Sequence, residues 1–264
     1  MITHNPVAEL SAFMPVIAMQ AYLIAMGILV VGGTLLDVLH KKSAQYFFEA
    51  GKTSKANAKR QVGGGEKFSI AVQTAVVDVL TSGEFCNPRR RIAHLLTMYG
   101  FILFLIATVI LVFMYPTPDT LAPAYWPVLW HLGALMVCVG GYWFWFAIRV
   151  DVAAEGSPWY RLVRADLFIL SLLATTTFAL IWSFLQWSGS GAAATLFFVL
   201  FIVASTVLFG SVLWSKLGHM FFKPAAAFQR RVSEAEGSRD NLPPPAEAPK
   251  QFGLGISREL PRHY

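Results

Sequence analysis

Charge is what this sequence has least of. Asp, Glu, Lys and Arg make up only 14% of its 264 residues, hydrophobic residues make up 56%, and the mean hydropathy is +0.55. So little polar surface cannot cover a soluble domain of this length, and an integral membrane protein is expected. Cysteine is nearly absent too: Cys86 falls in a loop and Cys138 in the middle of an apolar run. That inventory is too small for an iron–sulfur or zinc site, so any such centre must come from a partner chain. Residues 1–12 carry no Lys or Arg. They lack the positive segment of a cleaved secretory signal and are expected to stay on the mature protein. No charged residue interrupts the later apolar runs, which argues against a small transporter, and no acid, base and nucleophile set converges on them, which argues against an independent catalyst.

What is present is a series of long apolar runs. Phe13 to Leu36 is free of charge for 24 residues, enough for a helix that crosses the roughly 30 Å hydrocarbon core. Further spans are expected at about 92–115, 126–148, 167–187 and 194–217, the last two separated by Gln186-Trp-Ser-Gly-Ser-Gly191. Gly27, Gly32 and Gly33 on the first span would permit close helix approach. Between the first two spans, residues 40–91 form a polar connection in which Glu66 to Leu80 places Phe68, Ile70, Ala71, Ala75, Val76, Val79 and Leu80 mostly to one side. An amphipathic helix on the membrane surface or against a partner is expected there. The expected fold is thus an all-α five-helix bundle over residues 1–223, followed by a disordered tail, 224–264. The end of that tail, 251–264, regains Phe252, Leu254, Ile256 and Leu260 and is a candidate docking peptide.

Basic residues report orientation. Taken alternately from the N-terminus, the connections hold zero, ten, zero, three, zero and eight Lys and Arg, which accounts for all 21. By the positive-inside rule the N-terminus lies outside and the C-terminus in the cytoplasm of a bacterial inner membrane. The basic face then has anionic lipid, rather than nucleic acid, as its expected surface.

The six histidines separate by position. His4 and His263 are terminal. His94 and His219 lie at the cytoplasmic ends of the second and fifth apolar runs, beside Arg89, Arg90, Arg91 and Lys216. Two imidazoles at one membrane level with cationic neighbours are what a b-type haem and its propionates require. His40 is the rival ligand, displaced outward by Lys41 and Lys42. His131, on the outer side and about 25 Å from the inner face, is expected to make a structural hydrogen bond, with binding of a quinone carbonyl or a proton near Asp119 and Tyr125 as the alternative. Thr97, Tyr99 and Trp214 are candidates to line a quinone site near the inner haem.

Five spans with these two histidines resemble the cytochrome b subunits of the respiratory nitrate reductase gamma type and the quinone-interacting oxidoreductase type. That group carries a second ligand pair, at positions occupied here by Phe104 and Phe201, so the resemblance implies one haem on the cytoplasmic side and none outside. A more specific resemblance is to the membrane anchor of dissimilatory adenylylsulfate reductase. It is carried by Lys59-Arg-Gln-Val-Gly-Gly-Gly-Glu66, by Ala75-Val-Val-Asp-Val-Leu80, by Glu84-Phe-Cys-Asn-Pro-Arg-Arg-Arg-Ile-Ala-His-Leu-Leu-Thr-Met-Tyr-Gly-Phe101 and by Ser215-Lys-Leu-Gly-His219. It implies an electron-transfer subunit that holds a soluble flavin and iron–sulfur adenylylsulfate reductase at the membrane and exchanges its electrons with quinone. A haem-free scaffold that only recruits the reductase is the alternative.

Overall fold

The computed structural model describes residues 1–40, 43–83, 85, 87–151, 156–211 and 219–238. Among these residues the chain is helical with no strand, and five helices are long and apolar enough to cross a membrane. Lys41, Lys42, Glu84, Cys86, Trp214, Lys216 and the candidate docking peptide 251–264 lie outside the described residues. Two compact units result, one from Met1–Asp37 and Ile92–Gly218, the other from Val38–Arg91 and His219–Tyr264.

The first unit holds the spanning helices α1 (Val16–His40), α4 (Pro88–Met114), α5 (Tyr125–Trp143, extended by a π-helical turn Phe144–Ile148), α6 (Leu167–Trp187) and α7 (Gly191–Gly210). The expected limits of the fourth span, 167–187, coincide with α6. Others shift for local reasons. The helix expected from residue 92 starts at Pro88, because the Asn87 side chain accepts hydrogen bonds from the backbone N–H of Arg89 (2.9 Å) and Arg90 (3.4 Å), with proline in the first helical position, where no donor is lost. The helix expected from residue 194 starts at Gly191.

One face of α1 is apolar and exposed, while Trp130, Leu111, Leu172 and Leu208 are buried inside the unit. Ile17, Ile24, Ile28, Val31 and Leu35 on α1 are all exposed, as a lipid-facing stripe would be. Inside, α4 and α5 approach backbone to backbone: a Cβ on Gly133 would lie 2.5 Å from the Phe104 amide nitrogen, and one on Gly100 would lie 2.7 Å from the Gly133 carbonyl. The close-approach role expected for Gly27 and Gly32 thus belongs elsewhere, since both face open space. Gly133→Leu is expected to cost about 1–3 kcal/mol by overpacking, and Gly27→Leu less than about 0.5 kcal/mol. Unfolding of both variants in detergent checks this; equal effects would remove the seam. Two buried hydroxyls on α6 are satisfied within their own helix: Ser171 donates to the Leu167 carbonyl (2.6 Å) and Thr175 to that of Ser171 (2.7 Å).

The second unit packs α2 (Ser43–Ala56), α3 (Gly64–Gln73, continued by a π-helical segment Thr74–Leu80) and α8 (His219–Glu236). The stretch 224–236, expected to belong to a disordered tail, is helical and includes Pro224. Tertiary partners hold it: Arg231 grips Asp78 with two bonds of 2.9 Å, and the Ser233 hydroxyl meets that of Ser54 at 2.7 Å. Its end is built in the sequence. Gly237 adopts φ +73°, and the Ser238 amide returns to the Ser233 carbonyl, while the Arg60 side chain donates to the Ala235 carbonyl at 2.7 Å. Arg60 also binds Glu66 in the first turn of α3, and this hydrogen bond holds the Glu66 carboxyl below its ordinary range. Along α3 and its continuation, Phe68, Val72, Val76 and Leu80 form an exposed apolar stripe at four-residue spacing.

Candidate functional site

His94 follows six residues after Pro88, close to two turns into α4, and its side chain is exposed. Phe101, two turns on, shares its face of the helix and meets Phe209 of α7 with ring centroids 6.3 Å apart. The face that carries His94 therefore meets α7 two turns further along α4, at Phe101. Arg89 is exposed at the helix start. Arg91 is already engaged, its Nε donating to the Thr81 carbonyl at 2.7 Å, so its part in any anion site is shared with closing the end of the π-helical segment. His219 is the first described residue of α8 and belongs to the second unit, whereas His94 belongs to the first. Among the described residues, no three His, Cys, Asp or Glu side chains cluster for a metal ion; a haem iron needs only two imidazoles.

The other candidates have structural work. Thr97 donates to the Ala93 carbonyl at 2.9 Å on the side facing α5, where a Cβ on Gly140 would meet its hydroxyl at 2.7 Å. His131 is 4% exposed, with Nδ1 2.7 Å from the Pro127 carbonyl and Nε2 2.7 Å from the Ser183 hydroxyl. Both ring nitrogens are thus occupied, so no nitrogen is left for a ligand, in keeping with the structural hydrogen bond expected of it. His40 ends α1 with an exposed side chain.

Two features of the first unit were not anticipated from the sequence. One is Arg149, 2% exposed, whose guanidinium reaches the Pro158 and Arg161 carbonyls (2.7 Å each) and Asp166 (2.6 Å), and lies 4.2 Å from the Trp145 ring centroid. It ties the link between α5 and α6 to the end of α5. The other is a cavity of about 420 Å³ enclosed by α1, α4, α5, α6, α7 and the N-terminal segment. Phe104 and Phe201 both line it, together with Trp130, Trp182 and Phe198. Trp182 stacks on Phe201 at 5.6 Å, and Trp130 packs against Phe104 at 5.1 Å. Aromatic residues in apolar runs are ordinarily core, and only the packing reveals that these surround a space.

These features define a multi-pass helical membrane protein with an aromatic-walled cavity in its spanning unit. No protein-family model, no curated protein and no solved structure matches the chain.

Proposed function

We propose that this protein is a membrane anchor and electron-transfer subunit, linking a soluble cytoplasmic adenylylsulfate reductase to quinone through one b-type haem held by His94 and His219. The observation that carries the reading is an exposed imidazole near the start of a spanning helix, directly behind three arginines and on the helix face that meets α7 at Phe101. Exposed donors of this kind fit a bis-histidine haem, and Arg89, Arg90 and Lys216 would neutralise its propionates. When bound, the haem supplies one-electron carriage. The protein's own residues do the rest: the imidazoles orient the ring, and the basic cytoplasmic connections attract an acidic partner. In this reading the N-terminus is outside and the tail cytoplasmic, as the one-sided Lys and Arg distribution supports.

A dithionite-reduced minus oxidised spectrum of the purified protein, with haem measured per chain, tests the proposal. About one b-type haem per chain supports it. A folded helical preparation without haem leaves the scaffold reading, in which electrons pass from the soluble partner to quinone without this chain. Deleting residues 251–264 is expected to lower the recovery of the soluble reductase with membranes several-fold, since an ordering peptide contributes affinity only while attached. Unchanged recovery in a sedimentation assay would make that peptide inert.

A further inference from the structure

The cavity in the spanning unit has a shape, a mouth and a chemistry that together select an occupant. Its wall runs along α7 from Phe198 to Phe209 and along α4 from Phe101 to Val112, a length of about 16 Å at 1.5 Å per residue. A cavity of about 420 Å³ running along these helices and lined almost wholly by apolar side chains suits a hydrocarbon chain. Val199 and Val203 line it yet are 50% and 54% exposed, and Ala18 opposite them on α1 is exposed as well. The slot therefore opens sideways between α1 and α7, on the surface that faces lipid.

Its hydroxyl protons are committed within the protein. Thr108 donates to the Phe104 carbonyl (2.7 Å) while accepting from Trp130 Nε1 (3.0 Å), Thr175 donates to the Ser171 carbonyl (2.7 Å), and Ser205 donates to that of Phe201 (2.8 Å). The Tyr22 hydroxyl sits 2.7 Å from Ser205 Oγ and 3.0 Å from Thr206 Oγ1. Because Thr206 gives its proton to the Ile202 carbonyl (2.7 Å), the Tyr22 proton is spent on these two oxygens. No lining hydroxyl keeps a donor for a carbonyl. Among the described residues the lining contains no Lys, Arg or His, so a phosphate inside the slot would meet no counter-charge from them.

From this we infer that the cavity seats the prenyl tail of a membrane quinone, which enters laterally from the bilayer and leaves its ring outside the slot. The inference rests on the quinone reading above and adds where the tail goes. The aromatic wall of Phe104, Trp130, Trp182, Phe198 and Phe201 suits an unsaturated, methyl-branched chain. Volumes of this size are typical of small-molecule seats in proteins.

The full-length protein in detergent can be titrated with ubiquinone-2, which has a two-isoprene tail, and with the same ring lacking a tail, both read by tryptophan quenching. Farnesol and phosphatidylglycerol, read by calorimetry and as competitors, complete the set. The tailed quinone is expected to bind at least tenfold tighter than the bare ring, equivalent to about 1.4 kcal/mol, with farnesol competing and phosphatidylglycerol not. Ala18→Phe, at the mouth, is expected to weaken ubiquinone-2 and farnesol at least about fivefold and to leave the bare ring unchanged. Val203→Trp provides a second block on the exposed rim should the first variant fail to fold. Equal binding of tailed and bare rings, or affinity indifferent to both variants, overturns the tail seat. Competition by phosphatidylglycerol as strong as by farnesol assigns the slot to acyl chains and overturns it too. Farnesol binding without any quinone binding instead overturns the quinone reading and leaves a seat for another prenyl lipid.

Discussion

Purified His94→Ala protein is expected to show no haem absorbance, in a preparation whose helical content matches the wild type. A bis-histidine site that loses one imidazole loses half of its coordination and the orientation of the ring. Ala93 and Thr97 face α5, His131 is committed at both nitrogens, and Arg91 is a donor only. His219→Ala is expected to behave identically. His131→Ala is the control: it leaves the Ser183 hydroxyl without its imidazole partner and should cost about 1–3 kcal/mol of stability while the spectrum is retained. A haem spectrum that survives either of the first two substitutions would overturn the ligand assignment, and one lost only in His131→Ala would move the site to the outer side.

Arg149→Met is expected to destabilise the spanning unit by about 3–5 kcal/mol, the range for removing one partner of a buried ion pair. Asp166 would remain, 8% exposed, and among the described residues the Val163 amide at 3.0 Å would be left to meet its charge. The Pro158 and Arg161 carbonyls would lose their 2.7 Å partners at the same time, which frees the link joining α5 to α6. Arg149→Lys is expected to recover only part of the loss, because a single ammonium cannot reproduce a fork that serves two carbonyls and a carboxylate. Pairing Arg149→Met with Asp166→Asn separates the two contributions: if the stranded charge dominates, the double variant is more stable than the single one. Thermal unfolding in one detergent, with the wild type alongside, measures all of these. A change below about 0.5 kcal/mol for Arg149→Met would show that the link is held by other contacts.

Which parts of this arrangement could be read without coordinates depended on the range of the interaction. The run 167–187 coincides with α6, although the span that includes its helical start reaches back to Arg164. It was legible because the limits of α6 are local: Asp166 precedes the apolar run, and Ser188-Gly189, with Gly189 at φ +80°, follows it. The start of α4 was displaced by four residues because hydropathy ignores the Asn87-Pro88 cap, which a search for capping residues would have found. The helix over 224–236 was missed for the opposite reason. Pro224 argues against a helix locally, and the contacts that outweigh it, Asp78 with Arg231 and Ser54 with Ser233, join residues more than 150 positions apart. For the candidate site, His94 could be singled out from its place behind three arginines, but the commitment of Arg91 to Thr81 and the meeting of the His94 face with α7 at Phe101 could not.

By itself the sequence determined that this protein has five helices able to cross a membrane and that its basic residues fall in alternate connections. It could do so because a backbone in hydrocarbon must satisfy its own hydrogen bonds, and an uninterrupted apolar run has one way to do that. Only the tertiary structure decided which faces of those helices meet. Glycines alike in sequence became a seam at Gly100 and Gly133 and open surface at Gly27 and Gly32, and aromatic residues from separate helices closed around a slot. In lipid no solvent preference tells one apolar face from another, so close packing and the few polar contacts between helices make that choice.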